Sequence, residues 1–178
     1  MKRFIILASI LGCTVSAYTQ HDHSNHGQIP AEPKAKSTTQ SQVITENKAL
    51  FGLLTAYYNI KNALVAGDAP SASANADVFL RKVNTIDFKV ISEGNLHILS
   101  KDAGHLSATN DLERQRLYFA KLSANMAIIA KDFKLDNKEV YLQYCPMKKT
   151  SWLSSEKEIR NPYYGAAMLT CGDLTNTF

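Results

Sequence analysis

A chain of 178 residues that is 45% hydrophobic and 20% charged is neither a disordered polypeptide nor a large multidomain protein; it fits one folded domain with short additions. No apolar run reaches the roughly 18–20 residues that span a bilayer. The formal charge of +4 does not call for a nucleic-acid partner, because two of the cations, Lys2 and Arg3, belong to a stretch expected to be removed.

That stretch is residues 1–17. The basic pair precedes an apolar run over residues 4–15, and Val15-Ser16-Ala17 supplies small residues at a cleavage site. The arrangement predicts a signal peptide and an exported, periplasmic protein. Ile10-Leu11-Gly12-Cys13 supports an alternative, a membrane-anchored lipoprotein joined through Cys13. Residues 18–43 show no apolar period and are expected to be a disordered His/Pro/Ser/Thr tail. Its His21, His23 and His26 either gather metal weakly or belong to a plain solubilising linker.

Four amphipathic helices are predicted next. In 46–66, Leu50, Leu53, Leu54, Tyr57, Ile60 and Leu64 form one stripe that Gly67 ends. Asp68 is placed to cap a second helix, with Pro70 in its first turn and small Ala72 and Ala76 on its inner face. A third, 90–106, is weakened by Gly94 and Gly104, each costing about 1 kcal/mol against alanine. The fourth, 111–133, carries Leu112, Phe119, Leu122, Met126 and Ile129 on one face, with Arg114 and Arg116 read as exposed. Short connections then predict an all-α, antiparallel up-down-up-down four-helix bundle over residues 44–134. Residues 135–178 are expected to be an irregular flap in the same domain. Within it, Val140, Leu142 and Tyr144 alternate inward over a short strand, and Ser155 with Glu158 forms a capping box for a helical turn.

The flap holds Cys145-Pro146-Met147 and Met168-x-x-Cys171. Thiolate and thioether are soft donors that favour Cu(I), with Ag(I) as a mimic. Cys145, Met147, Met168 and Cys171 are therefore candidate metal ligands. His97 and His105 are either additional ligands or surface histidines. Two cysteines in an oxidising compartment equally predict a Cys145–Cys171 disulfide, closing a loop worth about 3.5 kcal/mol. Trp152, Asn161, Pro162, Tyr163, Tyr164 and Gly165 read as the turn and the aromatic anchors that pin the flap. No phosphate loop, Gly-x-Ser-x-Gly elbow or His-Glu-x-x-His is present, so catalysis is not expected.

The segments VYLQYCPM, WLSSEKEIRNPYYG and MLTCG, with LERQRLYFAKLS at 112–123, resemble a bacterial exported domain of unknown function. That domain also occurs at the C-terminus of periplasmic adaptors of heavy-metal (copper/silver) efflux systems. The resemblance covers about residues 50–173. It implies copper handling, with the same four sulfurs as ligands and an efflux adaptor or another envelope metal carrier as partner. A dithiol site of this kind would load only when reduced.

Overall fold

The computed structural model describes residues 36–178, and side chains from residue 43 onward. The leader, Cys13 and the tail histidines His21, His23 and His26 lie outside the described residues.

Apolar residues recurring at three- and four-residue steps form four helices, and each packs on the next: α1 (Lys36–Ala66), α2 (Ala69–Val83), α3 (Glu93–Ser107) and α4 (Leu112–Asp132). Local chemistry sets their ends. Gly67 adopts φ +74°, so its N–H reaches Leu64 O (3.2 Å) while the Asp68 N–H reaches Ala63 O (2.9 Å), closing α1. Asp68 then accepts from the Ser71 N–H at 3.0 Å and caps α2. Ser92 caps α3 and Asp111 caps α4, the latter accepting from the Glu113 and Arg114 N–H groups. α1 begins ten residues earlier than the stripe predicts, because no glycine or proline interrupts the chain between Pro33 and Gly52. Ala72 and Ala76 are fully buried, as a close approach of α1 to α2 requires.

An all-α fold is not what forms. The region after α4 folds into a three-stranded antiparallel sheet in the order β2–β1–β3, from β1 (Tyr141–Cys145), β2 (Thr150–Ser154) and β3 (Asp173–Thr177), so the domain is mixed α and β. The flap has little hydrophobic periodicity because backbone pairing, not burial, forms much of it. All five residues of β3 are exposed, yet Tyr144 pairs with Asp173, Gln143 with Leu174 and Tyr141 with Thr177. The phase of β1 also differs from the expected one. Gln143 and Cys145 are fully buried, while Leu142 and Tyr144 are partly exposed. As the central strand, β1 is flanked on both edges, and Gln143 has a task inside. Its Nε2 donates to the carbonyls of Glu156 (2.9 Å), Lys157 (3.1 Å) and Glu158 (3.2 Å). That clamp, with the Glu156 N–H on Ser154 Oγ (3.1 Å), holds 155–158 as bends, and the expected capping-box turn does not form.

The sheet fills the seam between the first and last helices. α1 and α4 meet along a narrow strip, β2 packs on α4, and the 3₁₀ turn Gly165–Met168 packs on α1. Tyr57 is the joint. Its ring stacks on Phe119 of α4 at 5.1 Å, and its hydroxyl accepts from the Leu153 N–H (3.1 Å) and lies 2.6 Å from Ser123 Oγ. Phe119 meets Tyr163, and Tyr163 meets the edge of Trp152, both at 5.9 Å. One aromatic series thus runs from helix to sheet, so the sheet is part of the same core.

Candidate functional site

The pairing register brings the two cysteines together. Cys145 is the last residue of β1, where Pro146 opens the hairpin turn 146–149. On the other edge β3 begins opposite Tyr144, so the residues just before it, Cys171 and Gly172, lie beside the end of β1. Cys171 is within hydrogen-bonding reach of the Cys145 side chain. Both are free thiols, Cys145 buried and Cys171 half-buried, and the expected disulfide is not formed.

Asn161 organises the pair. It is fully buried. Its Nδ2 donates to Cys145 Sγ at 3.2 Å and to Cys171 O at 2.7 Å, and its Oδ1 accepts from the Tyr163 N–H at 2.8 Å. Its backbone is held as well, N–H to Leu169 O (2.8 Å) and O to the Gly165 N–H (3.0 Å). Every hydrogen-bonding group of this residue is therefore engaged, and an amide N–H is aimed at a sulfur. Such a donor stabilises negative charge on that sulfur when a cation replaces its proton. The Cys171 thiol is pushed above the ordinary thiol range, first by burial and then by Cys145 and Asp173.

The four predicted sulfurs do not share one fate. Met147 is 62% exposed on the hairpin turn. Met168 ends the 3₁₀ turn half-buried, and its carbonyl accepts from the Cys171 N–H at 3.2 Å. The geometry therefore presents two thiols, with the Met168 backbone bonded to that of Cys171. His97 and His105 lie on α3, which packs on α2 and α4; both are exposed, and His105 stacks on Tyr118 at 4.9 Å. Among the described residues, no three His, Cys, Asp or Glu side chains gather into one cluster. Trp152 and Tyr163 are buried anchors as expected, with Tyr163 donating to Ser151 O at 2.6 Å. Tyr164 is half-buried under the Lys148 ammonium, 5.4 Å from its ring centre.

Two polar residues near the flap escaped the sequence reading. Arg116 is half-buried, not exposed: its Nε donates to Pro162 O (3.1 Å) and its Nη2 to Leu64 O (3.4 Å). It ties the Asn161 turn to the C-terminal carbonyls of α1, where a cation is favoured. Gly165 sits under it at φ +56°, with its missing Cβ position 3.0 Å from both Arg116 Nη2 and Val65 O. Lys61 sits on α1 among residues of the apolar stripe but is only 1% exposed, its ammonium bonded to Ser154 Oγ at 3.3 Å. Burial lowers its pKa; Glu156 opposes that and Arg160 adds to it. Between that lowered value and the ordinary lysine value, the unfolded chain holds the extra proton, so this group's contribution to stability rises with pH through that window and is least below it. Lys61→Met is accordingly expected to raise stability at neutral pH by roughly 1 kcal/mol and to remove that rise. Urea midpoints of the two proteins across the alkaline range check both the sign and the slope.

The fold and the site together define a helical domain closed by a small sheet, with one buried and one half-buried thiol side by side where the sheet meets the 3₁₀ turn. Residues 53–138 match the family described as a protein of unknown function (DUF3347). The match runs from within α1, at residue 53, to the start of the flap and stops before β1, so both cysteines lie beyond it. No curated protein and no solved structure matches the chain. Among the described residues, no helix is long and apolar enough to cross a membrane.

Proposed function

We propose that the chain is an exported, non-catalytic module that binds Cu(I) or Ag(I) through Cys145 and Cys171, and sequesters the ion or hands it on. One observation carries the reading: two free thiols adjoin beneath an amide donor that points at one of the sulfurs. Soft thiolates suit a soft monovalent cation, and a thioether from Met168, three residues before Cys171, is a further soft donor of the same kind. Export follows from the leader sequence, with the lipid-anchored form through Cys13 as its variant. The resemblance to domains attached to copper/silver efflux adaptors makes such an adaptor, or another envelope metal carrier, the fitting partner. The sequence also allows a second reading, a non-catalytic envelope interaction module stabilised by a Cys145–Cys171 disulfide and docking through Trp152 and the tyrosines; the free thiols and the burial of Trp152 and Tyr163 count against it.

The test is Cu(I) titration of the reduced protein against a competing chelator. Asn161→Ala is expected to weaken binding about 10–100-fold, the range for an outer partner of a ligand. Cys145→Ser and Cys171→Ser are expected to weaken it more, and Met147→Leu to leave it unchanged. Unchanged affinity in both serine variants, with binding lost on deleting residues 18–43, would move the site to the histidine tail.

A further inference from the structure

We propose that Cys145 and Cys171 are also a thiol–disulfide exchange site, at which Cys171 takes up an external disulfide and Cys145 completes the exchange. The substrate class is a low-molecular-weight or protein disulfide.

The asymmetry of the pair assigns the order. Cys145 has no exposed surface, so an external disulfide does not reach it in the folded protein. Cys171 is half-buried, in the irregular stretch between the 3₁₀ turn and β3, and so offers the accessible sulfur. Asn161 keeps the partners in place by holding Cys145 Sγ and Cys171 O on one amide nitrogen. Accessible sulfur outside, second sulfur within reach behind it, is what two-step exchange requires.

The steps balance. The Cys171 sulfur gives up its proton and attacks one sulfur of R–S–S–R; the S–S bond breaks and one R–SH leaves with a proton. The Cys145 sulfur then gives up its proton, attacks Cys171 Sγ in the mixed disulfide, and expels the second R–SH. The protein loses two hydrogens as a disulfide forms, and the external disulfide becomes two thiols. A dithiol reductant runs the sequence backwards. The closed form lacks both thiolate donors, so exchange would switch off the proposed copper site; that consequence alone rests on the copper reading.

The experiment uses the reduced, metal-free full chain carrying Cys13→Ser, incubated with glutathione disulfide and followed by intact mass and peptide mapping. The expected course is a first glutathione adduct on Cys171, followed by its disappearance as the chain loses the mass of two hydrogens. In the same background Cys145→Ser should hold the adduct on Cys171, and Cys171→Ser should stay unmodified. A first adduct on Cys145, an adduct on Cys171 that persists with Cys145 present, or a chain that remains unmodified overturns the proposal. The early-time mapping of the otherwise unchanged chain decides the order even if a variant fails to fold. Copper plays no part, so failure here and failure of metal binding are read separately.

Discussion

Asn161→Asp will destabilise the protein by about 3–5 kcal/mol, the cost of leaving a buried charge without a partner. The substitution is nearly isosteric, so packing is preserved and the chemistry alone changes. At present Nδ2 donates to Cys171 O at 2.7 Å and to Cys145 Sγ at 3.2 Å. A carboxylate places an acceptor against the Cys171 carbonyl and removes the amide N–H from Cys145 Sγ. The Tyr163 N–H still has its acceptor and the Cys145 S–H can turn to donate, but the Cys171 carbonyl loses its donor and faces a buried negative charge. Urea denaturation checks the magnitude. A variant with the wild-type midpoint would mean that the amide does not organise the cysteines, and the site would lose its structural basis.

Gly172→Ala is the second large effect. A Cβ on residue 172 would sit 2.8 Å from Trp152 Cη2, 2.9 Å from Tyr144 O and 3.2 Å from Ile159 Cγ2. Trp152 is fully buried and Tyr144 O belongs to the backbone of β1, so neither moves cheaply. Overpacking of this kind costs about 2–3 kcal/mol. Because Gly172 lies between Cys171 and β3, the same change will also shift Cys171 relative to Cys145. Gly94 and Gly104 in α3 supply the contrast. A Cβ at either meets nothing within 4 Å, so alanine there is expected to stabilise by up to about 1 kcal/mol. Thermal midpoints of the three variants test the opposite signs within one protein; a neutral Gly172→Ala would show that Trp152 and the Tyr144 carbonyl yield to the added methyl group without cost.

The helices were readable in the amino-acid sequence because burial and period coincide there. Leu53, Leu54, Tyr57, Ile60 and Leu64 repeat every three to four residues and all are fully buried, and Asp68 and Asp111 sit where caps are needed. The sheet was not readable for the opposite reason. β3 buries no side chain and owes its place to backbone bonds with β1, which leave no trace in hydropathy. The apolar alternation pointed to Val140, Leu142 and Tyr144; Val140 is buried, but within β1 the buried residues are Gln143 and Cys145, and the Gln143 amide donates to three loop carbonyls. Arg116 misled because charge predicts exposure, whereas its guanidinium reaches Pro162 O; Lys61, another buried cation, reaches Ser154 Oγ. At the site, the pairing of Cys145 with Cys171 could be expected from their being two thiols on one short segment. The role of Asn161 depends on a turn that folds back on itself, and only the neighbouring proline hinted at it.

The most direct test of the account is X-ray absorption at the copper edge on the reduced, Cu(I)-loaded protein. A first shell made of sulfur, lost in both Cys145→Ser and Cys171→Ser and retained when residues 18–43 are deleted, is the predicted result. A nitrogen-dominated shell that survives both serine substitutions and disappears with the tail would contradict it.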